Sequence, residues 1–280
     1  MTAASWDARI QRARLLEQEF PAAAEGLRFY QRVAAFQRDL CAGIEAAAHT
    51  IPQLSSESPL REKPDLTILL PRFPEFLSLI EQIAPAPLAQ AAAQLRRRGR
   101  PAWQQALEDF WSGAVVRPPL PDSPEEEPVE DPLEQSLAWI FLQPYAEFLA
   151  ARANPPRVDT APATCPLCGS KPIAGVLRPE GDGGKKSLIC MLCACEWPFR
   201  RIYCPACGEE REPQIAFYSA PEIKHVRVDV CDSCHTYLKT IDLTKNGLAV
   251  PIVDDLATLS LDLWAAQHGY RKLQINLLGA

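Results

Sequence analysis

The stretch that decides the fold reads CPLCG from Cys165 to Gly169, CMLCAC from Cys190 to Cys195, CPACG from Cys204 to Gly208 and CDSCH from Cys231 to His235. Four Cys-x-x-Cys pairs therefore follow one another. The first and third occur in near-identical contexts, and each is followed, after 21 and 23 intervening residues, by a second pair with an aromatic close behind it, Trp197 or Tyr237. The segment is a tandem repeat. A Cys-x-x-Cys turn lets two thiolates converge on one ion, and the glycine after it, Gly169 or Gly208, relaxes the tight turn. Two such turns close a tetrahedron.

Closure in sequence order predicts one site from Cys165, Cys168, Cys190 and Cys193 and a second from Cys204, Cys207, Cys231 and Cys234. Crossed pairings are formally allowed but break the repeat. Each repeat spans about 30 to 40 residues, too few for an apolar core alone to hold a fold, so a structural ion is the expected staple. Tetrahedral sulfur ligation suits zinc, and mononuclear iron of the rubredoxin kind uses the same geometry. Two metal ions, iron or zinc, are thus the expected cofactors.

Upstream the chemistry changes. Cys41 is the sole cysteine before Cys165, and the segment is rich in Ala, Leu, Gln, Glu and Arg. Phe29, Val33, Phe36, Leu40 and Ile44 recur at spacings of three and four, which predicts a helix over about 26–48 with one buried face. Further helices are predicted over 8–18, 74–84, 87–98 and 101–112, and Gly99 stops one of them. Between Arg117 and Pro132 lie six prolines and six acidic residues, a composition that reads as an exposed loop. Helical periodicity resumes over 133–152, with Leu137, Ile140, Phe141, Tyr145 and Phe148 as its apolar stripe. Downstream of Cys165, short β-branched or aromatic runs at Ile202–Tyr203, Ile215–Tyr218 and His225–Val230 read as strands. A last helix is predicted over 254–269, with Asp254 and Asp255 at its positive N-terminal end.

Composition excludes several classes. Of 280 residues, 47% are hydrophobic and 23% charged, ordinary globular usage rather than a disordered or fibrous chain. The net charge of -6 has the wrong sign for coating nucleic acid or anionic membrane. The first 18 residues lack an apolar export core, and no stretch reaches the length of a membrane span. A soluble, cytoplasmic protein is expected, and there ten cysteines call for a reason other than disulfides.

Other residues are read conservatively. Cys231–His235 matches the haem c attachment pattern, but the same turn recurs three more times, so the match is read as coincidence. Cys195 is read as a bystander thiol, His225 as a strand-surface histidine, and Cys41 as a small buried hydrophobe. Arg96, Arg97, Arg98 and Arg100 form a basic helix end, while Lys185, Lys186, Arg200 and Arg201 could balance the negative charge of the sulfur sites. There is no Gly-rich phosphate loop, GxSxG or HExxH, and the histidines show no triad spacing. The expectation is a protein without catalysis of its own.

CPLCGSKP (165–172), CMLCACEW (190–197), RIYCPACG (201–208), CDSCHTYLK (231–239) and VDDLATLSLD (253–262) with the following GYRKLQIN together resemble the formate dehydrogenase accessory proteins, the FdhE family. The resemblance covers roughly 165–276; Cys195 and the Pro-rich acidic insert depart from the family pattern. It implies an α+β chain: a helical domain over 1–160, rubredoxin-like, zinc-ribbon-like modules over 161–199 and 200–249, and a C-terminal helix and tail over 250–280. It further implies a cytoplasmic maturation factor that binds the catalytic subunit of a molybdenum or tungsten formate dehydrogenase. Two other readings compete, a zinc ribbon that binds nucleic acid through basic residues and Trp197, Phe199 and Tyr203, and a rubredoxin-like electron carrier. The acidity opposes the first of these.

Overall fold

A computed structural model describes residues 3–47, 60, 66–113, 131–153, 162–181 and 183–279. Most of the predicted loop over 117–132 lies outside these residues, as do His49 and the linker before Pro162. The N-terminal half forms α1 (Ala3–Glu19), α2 (Ala24–Ala46), α3 (Leu66–Leu69), α4 (Phe73–Ile83), α5 (Ala86–Arg98), α6 (Arg100–Ser112) and α7 (Pro132–Arg152). Helix α1 begins earlier than the predicted residue 8. A 3-10 turn at Pro21–Ala23 separates it from α2, because Pro21 lacks an N–H and holds Phe20 out of the helical region.

Helix α7 is the axis of this half. Asp131 caps it by accepting the Leu133 N–H at 2.9 Å, and Pro132 occupies the first turn, where its missing donor costs nothing. The sequence shows one apolar stripe, yet every residue from Leu137 to Leu149 is buried, since α2, α5 and α6 all pack on this helix. Its polar side chains therefore need partners. Glu147 accepts from Arg9 at 2.9 Å, and Gln143 accepts from Gln37 at 3.1 Å. Phe36, Phe73 and Phe76 pack against Phe141 of this helix as a cluster of stacked, tilted and edge-on rings.

The C-terminal half is one sheet, not two separate ones. Strands β1 (Pro172–Glu180), β2 (Gly183–Cys190) and β3 (Glu196–Pro198) form a meander, as do β4 (Ile215–Ser219), β5 (Val226–Cys231) and β6 (Thr236–Asp242). Parallel pairing of β1 with β6 fuses them in the order β3-β2-β1-β6-β5-β4, and β7 (Arg271–Lys272) adds to β6. At this seam Gly175 faces Thr240, and a Cβ at 175 would overlap the Thr240 side chain. The predicted strand at Ile202–Tyr203 is a bend instead, held between Pro198 and the turn that begins at Cys204.

The last helix is also different from its expectation. It starts at Pro251 and divides at Thr258 into α8 (Pro251–Ala257) and α9 (Leu259–Gln267). The division has a reason: the backbone carbonyls of Asp255 and Thr258 turn to Lys239 Nζ, at 2.5 and 3.3 Å. Asp254 and Asp255 are wholly buried and do more than meet a helix dipole. Asp255 and Asp262 enclose Lys239 and Lys272, and Asn276 donates to Asp255 at 2.9 Å. Asp254 accepts from Nε and Nη2 of Arg12 on α1 and lies 2.8 Å from His225 Nε2. His225 is thus a buried junction residue rather than a strand-surface one.

Acid should open this junction. Burial alone would raise the Asp254 carboxyl, but hydrogen bonds from His225 and Arg12 outweigh it and hold the group below its ordinary 3.8. Stability from a depressed carboxyl is present above the unfolded-state value and is lost as pH falls through the folded one. The emission of Trp6, buried on α1 under Arg9, is expected to change only below about pH 3.8 on this account. An Asp254→Asn chain that kept the same acid midpoint would refute it.

Candidate metal centres

Each centre is built from two backbone turns of one design. The Gly169 N–H donates to the Cys165 carbonyl at 2.9 Å, and the Gly208 N–H to the Cys204 carbonyl at 3.0 Å. Both glycines take positive φ, 72° and 78°, which side chains disfavour. The second turns match as well: Ala194 and His235 both adopt positive φ, 51° and 54°. Met191 N–H donates to Lys171 and Asp232 N–H to Gln214, at 3.1 and 2.8 Å, which ties each second turn to the chain just after the first. The repeat read from sequence is a repeat of hydrogen bonds.

The turns bring the eight cysteines into two groups of four, Cys165, Cys168, Cys190 and Cys193, and Cys204, Cys207, Cys231 and Cys234. Within each group all sulfurs lie within 4.8 Å of one another. The nearest sulfur pairs are 3.3 and 3.5 Å apart in the first and 3.7 Å in the second. Bonds of about 2.3 Å around a tetrahedral ion place sulfurs about 3.8 Å apart, so the donor sets fit zinc or mononuclear iron. The chemistry fits too. In the first group, hydrogen bonds from Cys168, Cys190 and Cys193 push the Cys165 thiol down. Cys193 is pushed up by its sulfur neighbours, and Cys190 by burial. Four thiolates packed this closely repel one another, so all four form together only with a cation among them.

Backbone amides assist: Leu192 and Cys193 N–H point at Cys190 Sγ at 3.4 and 3.5 Å, and Ala206 N–H at Cys204 Sγ at 3.4 Å. Three of the four cations named for charge balance pair with carboxylates away from the sulfurs. Lys186 is buried and meets Asp229 at 2.7 Å, Lys185 reaches Glu180, and Arg200 pairs with Glu210 over the Tyr203 ring. Arg96 and Arg98 likewise pair on the surface with Glu81 and Glu134. Cys195 stands outside both groups, half-buried, with its Sγ 3.8 Å from the Glu196 carbonyl. Cys41 is buried on α2, and burial raises its thiol to about 11.

The surroundings of the two centres differ. All four sulfurs of the first are buried, and the helical half seals it: Leu60 N–H donates to the Leu167 carbonyl at 3.0 Å, and Trp139 Nε1 and Gln143 Nε2 donate to the Met191 carbonyl at 3.0 and 3.3 Å. In the second, Cys207 is exposed and Cys234 partly so. Sequence reasoning missed this asymmetry, although Leu167 and Leu192 against Ala206 and Ser233 at equivalent positions hinted at it. It also missed the buried set of Lys239, Asp255, Asp262, Lys272 and Asn276, whose members occur in the same motifs that carried the resemblance.

A helical half carrying one sheet with two closed four-thiol turns defines a rubredoxin-like, two-centre protein. Residues 164–201 match the FdhE central domain and residues 202–278 the FdhE C-terminal domain. Among whole-chain relatives, the FdhE homolog of Aquifex aeolicus is 26% identical over 272 residues, 96% of this chain and 94% of that one. That of Pseudomonas aeruginosa is 42% identical over 129 residues, 43% of this chain and 41% of the relative. The crystal structure of the FdhE protein from Pseudomonas aeruginosa superposes with a TM-score of 0.69 at 25% identity, covering 100% of this chain and 97% of that one. The chain is thus similar to FdhE proteins over two adjoining family domains and along its whole length.

Proposed function

We propose that the chain is a cytoplasmic, non-catalytic maturation protein that binds the catalytic subunit of a formate dehydrogenase and is required for its activity or assembly. One observation carries the reading: each cysteine group supplies four converging sulfurs, which leaves a bound ion no open position for a substrate. When bound, zinc or iron supplies folding free energy at each site and, as iron, a one-electron couple. The residues themselves hold the turns in place and present a surface. The family supports formate dehydrogenase as the enzyme served. Among the described residues no helix is long and apolar enough to cross a membrane, which agrees with a partner met away from the bilayer.

The test has two arms. Deleting the gene should abolish formate dehydrogenase activity while its catalytic polypeptide is still made, by activity stain and immunoblot. The purified metal-loaded chain should bind the purified catalytic subunit in calorimetry. Normal activity in the deletion strain, or no binding, would count against the reading. Loss of DNA binding on raising salt, were DNA bound at all, would instead favour the nucleic-acid reading.

A further inference from the structure

The tandem repeat provides its own control, because the same turns are seen once under protein and once under solvent. At the first centre the turn residues Leu167, Leu192 and both cysteines of each turn are buried. Side chains and backbone of the helical half bind the turn carbonyls of Leu167 and Met191 from outside. Reaching a sulfur there requires moving α7 or Leu60 away from the turns they bind. At the second centre the equivalent residues Ala206, Ser233 and Asp232 are exposed, as are Cys207, Gly208 and His235. The outward partners of this turn leave its sulfurs uncovered: Tyr270 donates to the Asp232 carboxylate at 2.6 Å, Ser233 donates to Glu209 at 2.8 Å, and the Arg271 N–H donates to the His235 carbonyl at 2.7 Å. An attacking ligand can reach Cys207 Sγ without any opening of the fold.

We infer that the two centres are kinetically inequivalent: the first is a permanent staple, and the second exchanges its ion with thiophilic cations and with chelators through Cys207 and Cys234. This rests on the four-thiolate reading of both sites. Ligand exchange at a thiolate site proceeds by an incoming donor or cation displacing one sulfur at a time, so exposure of the first sulfur displaced sets the rate. Protected sulfurs react only through opening of the surrounding structure, whose free energy suppresses the rate by its Boltzmann factor. The second site is therefore the soft-metal exchange site of the molecule, selective for cations that favour sulfur, such as Cd²⁺ over Mg²⁺.

The full-length protein, purified with two equivalents of zinc, is challenged with an excess of a chromophoric chelator. Release is expected in two phases of one equivalent each, separated by at least about tenfold in rate. Iodoacetamide added during the fast phase, followed by peptide mapping, should label Cys204, Cys207, Cys231 and Cys234 and spare Cys165, Cys168, Cys190 and Cys193. A Cys207→Ser chain should lose the fast phase and keep the slow one. Trp139→Phe, which removes a donor to Met191, should speed only the slow phase. Release of both equivalents together, or early labelling of the first four cysteines, overturns the inference; the mapping decides the matter even if Cys207→Ser fails to fold. A protein that takes up fewer than two equivalents under any loading sinks the four-thiolate reading itself, and the inference with it.

Discussion

A chain with serine in place of both Cys165 and Cys168 is expected to bind one metal equivalent instead of two and to lose the ordered form of the first half of its sheet. The magnitude follows from what the ion contributes. Structural zinc in small domains supplies on the order of 10 kcal/mol of folding free energy, about as much as a typical domain holds in total. The damage should spread along a defined path. Met191, in the second turn of that centre, is bound by Trp139 and Gln143 of α7, and β1 supports β6 of the other meander. Hydrogen exchange should therefore rise first over 165–198, then along α7 and the β1–β6 seam. Elemental analysis gives the direct reading. If both ions stayed bound, the assignment of these two cysteines as ligands would be wrong.

Replacing Lys239 by methionine is the next largest effect expected. Lys239 is fully buried on β6, with Asp262 at 2.6 Å and Asp255 at 3.2 Å. Burial lowers its amine while the two carboxylates oppose that shift, and the Asp255 carboxyl is held below its ordinary range despite its burial, by Lys239 and Lys272. Removing one partner leaves charge buried without its counterpart, which costs about 3–5 kcal/mol in comparable interiors. Three backbone and hydroxyl acceptors at Asp255 and Thr258 also lose their donor, so the break between α8 and α9 loses its anchor. Lys245→Met provides the control, because Lys245 is exposed and sits 3.9 Å from Asp242. Urea unfolding of the metal-loaded chains should separate the two variants widely. A Lys239→Met loss of less than about 1 kcal/mol, the range of surface pairs, would show that the network is not a structural lock.

What was legible in the sequence follows from how far apart the cooperating residues lie. The cysteine groups could be read because each turn is local and the repeat supplies its own register. The buried face of α2 was equally plain, since Phe29, Val33, Leu40 and Ile44 obey one helical period and are all buried. The hairpin of β1 and β2 went unread: Ile173 to Leu177 is a continuous apolar run without alternation, and Lys185 and Lys186 disguise a strand in which Lys186 is buried against Asp229. His225 was misplaced for a similar reason. Its neighbours Val226 and Val228 alternate as in a half-exposed strand, but its partner Asp254 lies on a helix beyond the sheet. Spacing rules carry no information on which distant acid a given base will meet.

The contact between α1 and α8 has a consequence for how the molecule is made. Arg9 finds its carboxylate at Glu147 and Arg12 at Asp254, and the apolar face of α1 packs on α2 and on Val253, Leu256 and Ala257 of α8. Helix α1 thus waits for acids that are made 138 and 242 residues after its two arginines. Docking of α1 is therefore a late step of assembly, completed only once α8 is in place.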